Sequence, residues 1–417
     1  MKVCVIGAGV SGLACCVMLK KYNIDFVCFE KSNCVGGIWN YSPDLDNPSV
    51  YQNCTLNHSN KVMVYPFRKV DIKGRHFAHR SGYFNYLQET SDEFGLYQHI
   101  KFNTEVKSLQ KLENGSWCVS TNDETEQIFE HVIVCAGFYS NGYIPQEYVK
   151  SYMGNYIHSS EYRAPAPFKD QKVLVVGSGS SAIQIACDLA NVANDVKVSV
   201  RNMPFIIPKF LMGKPYSAIY LNIIKKFPRK LQSRYLEFVI KLINGKQESY
   251  GIPSPSQRLL DGRLPISQDI FDKTASGMIR FRPAIKKLEN YETTFTDDSH
   301  EKFDHIIFST GYKVSLPFLK DLEFDVNRNY KFISNMDHNH LYFCGYLQPI
   351  GPVPPVVTTQ ANYIARIIAG DIQLPEKEEQ HSYMRQFFEQ LKLQFSQEFN
   401  GRIHINDYLD MLMEDMQ

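Results

Sequence analysis

Two glycine-rich segments constrain the fold of this chain more than any other feature, because each stands between a buried strand and a helix. The first, Gly7-Ala-Gly-Val-Ser-Gly12, follows the apolar run 2–6, and the second, Gly177-Ser-Gly-Ser-Ser-Ala182, follows the run 172–176. In such a segment the first glycine makes a tight turn, and the second lets a pyrophosphate approach the backbone. The third small residue lets the helix pack on the sheet. The pattern predicts two Rossmann-like dinucleotide-binding domains of the α/β class.

The residue that ends the next strand differs between the two segments. The first strand–helix–strand unit ends at Glu30, and the second ends at Arg201. A carboxylate accepts hydrogen bonds from a free ribose diol, whereas an arginine pairs with a 2′-phosphate. We therefore expect FAD or NAD in the first unit and NADP in the second. The alternative for Arg201 is a solvent-facing strand end.

An internal repeat divides the chain further. Residues 129–138, Phe-Glu-His-Val-Ile-Val-Cys-Ala-Gly-Phe, resemble residues 303–312, Phe-Asp-His-Ile-Ile-Phe-Ser-Thr-Gly-Tyr. Each copy is predicted to be the last parallel strand of its unit, where the chain crosses between domains; plain core strands are the alternative. We expect an FAD domain over 1–165, an inserted NADP domain over 166–290 with an irregular insert near 204–275, and a return to the FAD domain with C-terminal helices over 291–417.

Composition excludes several other classes of protein. The chain has 45 basic and 44 acidic residues, and it contains no run of 18 apolar residues. We therefore expect neither a nucleic-acid partner nor a membrane anchor. Its ten cysteines form no Cys-x-x-Cys pair, so they are predicted to be reduced and mostly buried. We expect no metal site. These features predict a soluble, cytoplasmic protein.

A longer motif carries a family resemblance. Residues 152–162 place an aromatic residue, a glycine, a histidine and a final aromatic residue at Tyr152, Gly154, His158 and Tyr162. Together with Gly36-Gly-Ile-Trp39 and the two loops, this motif resembles the flavin-containing monooxygenases, a family of class B flavoprotein monooxygenases, over nearly the whole chain. Baeyer–Villiger relatives end the motif with tryptophan, so the tyrosine favours oxygenation of a heteroatom.

The resemblance also implies which residues form the site. Asn57 matches an active-site asparagine that donates a hydrogen bond near the flavin, although Ser59-Asn60 replaces the Pro-Lys pair that usually follows it. Gln360 matches a flavin-edge position, with a helix cap as the alternative, and 104–106 resembles the strand that meets the adenine of FAD. Asn57 is the catalytic candidate, and the implied cofactor-binding residues are Gly7, Gly9, Ser11, Gly12, Glu30, Gly37, Ile38, Trp39, Val106, Gln360, Gly177, Ser178, Gly179, Ser180, Ser181, Arg201 and Tyr312.

The resemblance implies an NADPH-dependent FAD monooxygenase. One atom of O2 would pass to an amine nitrogen or a sulfide sulfur through a C4a-hydroperoxyflavin. The near alternatives are a Baeyer–Villiger or N-hydroxylating relative and an uncoupled NADPH oxidase. A disulfide reductase would need a redox cysteine pair beside the flavin, and the cysteine spacing disfavours it. A homodimer is left open.

Overall fold

The computed structural model describes residues 2–217, 229–262, 264–319, 322, 324–394 and 402–416. The chain divides into two compact units. Unit 1 comprises Met1–Ser49, Asn60–Ser140 and Val314–Gln417, and unit 2 comprises Val50–Ser59 and Asn141–Lys313. The boundaries expected near 165 and 290 both fall inside unit 2, because strands on either side of them belong to its sheets. That the two units are the FAD and NADP domains stays a prediction.

The secondary-structure elements are numbered in chain order. The strands before residue 140 are β1 (Lys2–Ile6), β2 (Asp25–Phe29), β3 (Ile100–Lys101), β4 (Val106–Lys111), β5 (Trp117–Thr121), β6 (Glu126–Phe129) and β7 (His131–Val134), and the helices are α1 (Val10–Lys21) and α2 (Arg80–Glu93). The strands of residues 141–313 are β8 (Asn155–His158), β9 (Lys172–Val176), β10 (Asp195–Ser199), β11 (Phe210–Leu211), β12 (Lys214–Pro215), β13 (Ile279–Arg282), β14 (Ile285–Glu289), β15 (Glu292–Phe295), β16 (His300–Glu301) and β17 (His305–Phe308), and the helices are α3 (Gln146–Val149), α4 (Ser180–Leu189), α5 (Arg229–Asn244) and α6 (Asp269–Ala275). After residue 313 come β18 (Asn329–Tyr330), β19 (Ser334–Asn335), β20 (Leu341–Phe343), β21 (Gln348–Ile350), α7 (Val353–Ala369), α8 (Lys377–Gln394), β22 (Arg402–His404) and α9 (Ile405–Glu414).

Unit 1 is built on a sheet in the order β18-β19-β20-β7-β1-β2-β3. The strands from β20 to β3 are parallel. Val3, Cys4 and Val5 of β1 have no exposed surface, as expected for a parallel strand covered on both faces. Helices α1 and α7 pack against each other. The prediction of a mixed α/β fold is confirmed in this unit.

Unit 2 repeats that plan in a five-stranded parallel sheet of order β13-β10-β9-β17-β8. In both units the strand before the glycine loop is the third of five neighbouring parallel strands. An antiparallel three-stranded sheet, β4–β6 or β14–β16, also precedes the repeated strand β7 or β17. The repeated strands lie inside their sheets, with β7 between β1 and β20 and β17 between β9 and β8. The sequence repeat therefore marks a repeated topological position. β7 is not the last parallel strand of unit 1, however, because β20 pairs parallel to it later in the chain.

The insert near 204–275 forms its own small core within unit 2. The insert contains helix α5, which buries Leu236 and Ile240 against Ile207, Leu259 and Leu260. Within the described ranges, no helix is long and apolar enough to cross a membrane.

Candidate functional site

The first glycine loop makes a tight turn between β1 and α1. Gly7 has a φ of 101°, and a Cβ atom there would lie 2.7 Å from the carbonyl oxygen of Cys135. Gly9 is the extended N-cap of α1, and no side chain caps the helix. The first N–H groups of α1 are thus left without a side-chain acceptor, and together with the helix dipole they suit a phosphate group.

The segment 36–39, whose residues 37–39 are predicted to bind a cofactor, packs directly on this loop. The N–H of Gly36 donates to the carbonyl oxygen of Ala8 over 3.0 Å. A Cβ atom on Gly37 would lie 3.1 Å from the Cα atom of Gly9, so the backbones of the two glycines lie in close contact. Ile38 and Trp39 complete a short 3-10 helix and are half-buried. The structure therefore brings Gly9, Gly37, Ile38 and Trp39 together.

Glu30 lies buried at the end of β2, and its carboxylate is fixed by three hydrogen bonds. Oε2 accepts from the N–H of Ala8 over 2.7 Å, and Oε1 accepts from the N–H and the hydroxyl of Ser32 over 2.9 and 2.8 Å. A carboxylate has about four lone-pair sites, so one acceptor position remains for a ribose hydroxyl. The carbonyl oxygen of Glu30 also accepts from Thr104, two residues before Val106 begins β4. The predicted adenine strand therefore begins beside Glu30.

The side chain of Gln360, which the sequence predicts to contact the flavin edge, is hydrogen-bonded to other residues of unit 1. Its side chain lies in α7 and has no exposed surface. Oε1 accepts from the N–H of Gly345 over 2.9 Å, and Nε2 donates to the hydroxyl of Tyr408 over 2.7 Å. The structure favours a packing role that ties α7 to α9, so Gln360 is left out of the flavin contacts proposed below. Ser11 lies beside the same turn, because a Cβ atom on Gly345 would clash with its hydroxyl oxygen.

The second glycine loop reproduces the first with one difference. Gly177 has a φ of 137°, and a Cβ atom there would lie 2.5 Å from the carbonyl oxygen of Ser309. Gly179 is the extended N-cap of α4, which again has no side-chain cap. Ser178, Ser180 and Ser181 flank this N-cap, so the loop presents hydroxyl groups that the first loop mostly lacks.

Arg201 is exposed and stands two residues after β10. The preceding residue, Val200, donates its N–H to the carbonyl oxygen of Arg282 over 3.0 Å, which fixes the backbone at this corner. Within the described part of the chain, the guanidinium group of Arg201 makes no ion pair. An exposed and unneutralised arginine at this corner suits a 2′-phosphate.

The motif of residues 152–162, the linker fingerprint, buries Tyr152, His158 and Tyr162 inside unit 2. The rings of His158 and Tyr312 meet edge to face with centroids 5.0 Å apart. A Cβ atom on Gly142 would overlap the ring of His158. Burial lowers the pKa of His158, and Nδ1 of its ring contacts the hydroxyl of Ser160. These contacts indicate a neutral, structural histidine, and Tyr312 is its packing partner.

Asn57 is held by α4 through a residue that the sequence did not reveal. Nε2 of Gln184 donates to Oδ1 of Asn57, and the hydroxyl of Tyr51 donates to Oε1 of Gln184 over 3.4 Å. One turn further along α4, Asp188 accepts from Nδ2 of Asn53 over 2.8 Å and from the hydroxyl of Tyr162 over 2.7 Å. The segment Val50–Ser59 therefore belongs to unit 2.

The Ser59-Asn60 departure has a local structural explanation. Both side chains are buried. Ser59 accepts from the hydroxyl of Ser217, whereas Oδ1 of Asn60 accepts from the N–H of Ala78 and its Nδ2 donates to the carbonyl oxygen of Gly74. Each residue therefore stabilises a loop within its own unit.

Three cysteines that are distant in sequence meet inside unit 1. Cys15, Cys135 and Cys344 are buried, and their sulfur atoms lie within 4.8 Å of one another. Burial raises the pKa of the Cys135 thiol, whereas at Cys344 burial is outweighed by hydrogen bonds from Cys135 and Cys15, which lower the pKa of its thiol to about 5. All three thiols lie in the core of unit 1, where free cysteines commonly pack as small apolar residues.

The two repeated strands end beside open space. Gly137 and Gly311 have φ values of 74° and 97°, and no atom of the described residues lies within 4 Å of a Cβ atom placed on either glycine. Each unit thus combines an uncapped helix N-terminus, glycines that admit a backbone-hugging group and an unobstructed turn after the repeated strand. These features fit one dinucleotide in each unit.

Comparison with known sequences gives one family. The model described as flavin-binding monooxygenase-like matches residues 1–417. Flavin-containing monooxygenase 5 of Rattus norvegicus is 28% identical over 439 residues, covering 99% of this chain and 81% of the relative. Dimethylaniline monooxygenase [N-oxide-forming] 2 of Pan troglodytes is 28% identical over 403 residues, covering 90% of this chain and 75% of the relative.

Comparison with solved structures supports the fold. S-allyl-L-cysteine S-oxygenase from Allium sativum is 24% identical with a TM-score of 0.74, covering 99% of this chain and 88% of that one. Cyclohexanone monooxygenase with bound ε-caprolactone is 16% identical with a TM-score of 0.76, covering 99% and 97%.

Proposed function

Because the chain belongs to the flavin-binding monooxygenase-like family and is an NADPH-dependent flavin monooxygenase that uses FAD, we propose that its substrates are soft nucleophiles: amine nitrogens and sulfide sulfurs. The observation that carries this proposal is Tyr162 at the end of the linker fingerprint, where Baeyer–Villiger relatives have tryptophan. The hydroxyl of Tyr162 is bound to Asp188. The name of the Pan troglodytes relative specifies oxide formation on an amine nitrogen, which supports the amine class.

We assign the first loop to FAD. The pyrophosphate would meet the uncapped N-terminus of α1, Glu30 would accept from a ribose hydroxyl, and Gly9 and Gly37 would leave room for the backbone-hugging part of the cofactor. When bound, FAD takes a hydride from NADPH and activates O2, so the hardest chemistry belongs to the cofactors. The protein binds and orients them.

We assign the second loop to NADPH. Its pyrophosphate would meet the N-terminus of α4 together with the hydroxyls of Ser180 and Ser181. Arg201 would pair with the 2′-phosphate. No side-chain acid or base is required to pass oxygen to a soft nucleophile, so we assign no catalytic histidine or aspartate.

Asn57 is the catalytic residue that we propose, as a hydrogen-bond donor to the reacting oxygen. Replacing Asn57 with alanine should leave FAD bound but raise the fraction of consumed NADPH that appears as H2O2. Removing one such donor typically costs about 10²-fold or more in kcat. Asn155, an exposed asparagine of β8, gives the matched control Asn155→Ala. Unchanged coupling in Asn57→Ala would leave Asn57 with a structural role only.

The substrate class is tested by a product assay. NADPH consumption, H2O2 release and product formation are measured with a tertiary amine, a dialkyl sulfide and a cyclic ketone. We expect N-oxide or sulfoxide in near-stoichiometric amounts with NADPH and no lactone. A lactone as the main product would favour the Baeyer–Villiger alternative. Cyclohexanone monooxygenase, which is similar in fold, is the reason for including a cyclic ketone. H2O2 in the amount of NADPH consumed with every compound would favour the uncoupled oxidase.

We also propose a reducing, cytoplasmic location, because all ten cysteines are free and most are buried. A homodimer stays a prediction, which sedimentation of the purified protein would test.

A further inference from the structure

One helix of unit 2 carries both the nucleotide loop and the support of Asn57. Helix α4 begins directly after Gly179, the N-cap of the second loop, and Gln184 lies five residues further on, about 7.5 Å along the helix axis. Gln184 and Asp188 are four residues apart and therefore share one face of α4. That face holds the segment 50–59 through the contacts of both side chains.

The oxygen and the nitrogen of the Asn57 amide differ in their hydrogen bonding. Oδ1 accepts the hydrogen bond from Nε2 of Gln184. Within the described residues, Nδ2 has no acceptor, and the side chain is half-buried. An asparagine amide accepts through oxygen and donates only through nitrogen, so the bond from Gln184 determines which end remains available.

Gln184 is itself oriented by a neighbour. The hydroxyl of Tyr51 donates to Oε1 of Gln184 over 3.4 Å. The ring of Tyr51 packs edge to face on Tyr162 with centroids 5.6 Å apart. With Oε1 occupied by the tyrosine, Gln184 turns its N–H groups towards Asn57. Asp188 binds the same segment through Asn53.

We propose that Gln184 is a positioning residue that holds Asn57 as a hydrogen-bond donor. The inference rests on the proposed function of Asn57. Gln184 acts only through Asn57, so its removal should affect the coupling of NADPH oxidation to oxygenation and leave nucleotide affinity unchanged.

The variant Gln184→Glu tests this assignment with almost no change of volume. An ionised glutamate has no N–H to donate, so Asn57 must turn its NH2 group towards it and present Oδ1 in the opposite direction. We expect the H2O2 fraction to rise several-fold, with FAD content unchanged and the KM for NADPH within twofold of wild type. Gln146→Glu makes the same chemical change at an exposed position of α3. Its H2O2 fraction should equal that of the wild type.

A double variant separates this role from general damage. If Gln184 acts through Asn57, Gln184→Glu/Asn57→Ala should be no more uncoupled than Asn57→Ala alone. A merely structural role would instead add the two effects and lower the melting temperature or the FAD content. Gln184→Lys keeps N–H donors and should retain coupling that Gln184→Glu loses, which provides a second test if the glutamate variant folds poorly.

The results of these experiments distinguish a failure of the role of Gln184 from a failure of the proposed function. Gln184 has no positioning role if Asn57→Ala raises the H2O2 fraction while Gln184→Glu leaves it at the wild-type value. The same conclusion follows if Gln184→Lys raises the H2O2 fraction as much as Gln184→Glu does. In both cases the proposed function stands. If Asn57→Ala is fully coupled, the role of Asn57 fails and that of Gln184 fails with it. Stoichiometric H2O2 release by the wild type overturns the oxygenation chemistry on which both depend.

Discussion

The two glycine loops share one backbone plan but differ at the third small residue. In both, the first glycine has a positive φ and lies against the carbonyl oxygen of an equivalent residue, Cys135 or Ser309. At the third position, a Cβ atom on Gly12 would lie 1.8 Å from the carbonyl oxygen of Gly7, whereas the second loop carries the side chain of Ala182 in the same place. The first loop is therefore the tighter of the two.

The two units also differ at Glu30 and Arg201, the residues that follow the second strand of each strand–helix–strand unit. Glu30 is buried and bound by backbone and hydroxyl donors within unit 1. Arg201 is exposed and makes no ion pair with the described residues of unit 2. Glu30 is thus part of the fold as well as of the proposed FAD site, whereas a ligand contact of Arg201 is a proposal only. Substitutions at the two corners should therefore have different consequences.

The largest expected effect is at the third position of the first loop. Gly12→Ala should remove most of the bound FAD, about a hundredfold loss of affinity or more, because the clash is with backbone that cannot move aside. The absorbance of the flavin in the purified protein measures this. The mirror variant Ala182→Gly should cost only about 0.5–1 kcal/mol of helix stability. A Gly12→Ala protein with its full complement of FAD would show that the loops are equally tolerant.

The second effect concerns the exposed corner. Arg201→Ala should raise the KM for NADPH about 10- to 100-fold, the range of one hydrogen bond between charged groups. The KM for NADH should hardly change. Steady-state kinetics with both nucleotides measures the difference, and Arg234→Ala on the exposed face of α5 is the matched control. Equal changes for both nucleotides would contradict a 2′-phosphate contact.

The smallest expected effect is at the buried corner. Glu30→Gln keeps one oxygen acceptor but loses the charge, so the FAD dissociation constant should rise about fivefold to tenfold, a cost of about 1 kcal/mol. Titration of deflavinated protein with FAD measures it, and the melting temperature should fall as well, since Glu30 also supports the loop. Glu113→Gln, at an exposed site of unit 1, should change neither. If only FAD affinity changed, the carboxylate would be free of any structural role.

Much of this site could be predicted because its signals are local. The turn at Gly7, the N-cap at Gly9 and the acid at Glu30 lie within one strand–helix–strand unit, where steric limits on the backbone act over a few residues. His158 and Tyr162 of the linker fingerprint are both buried in unit 2, where His158 packs on Tyr312 and Tyr162 donates to Asp188.

Other features depend on residues far apart in the chain. Gln184 lies 127 residues from Asn57, and no local pattern marks it as a partner. Gln360 matched a flavin-edge position by sequence, but contacts with Gly345 and Tyr408 bury its amide completely. The change of unit at 140/141 and 313/314 likewise depends on which strands pair in unit 2, and strand pairing is a nonlocal choice.

The sequence by itself therefore determined the two dinucleotide loops, their unequal corner residues and the family to which they belong. The reason is that a glycine needed at a positive φ, or against a carbonyl oxygen, restricts the amino acid at a fixed spacing. Only the tertiary structure decided that the segment 50–59 packs with unit 2 and that Gln184 of α4 donates to the amide oxygen of Asn57. It also decided that the amide of Gln360 is buried against Gly345 and Tyr408. Those contacts depend on side chains that meet only after distant parts of the chain have folded together.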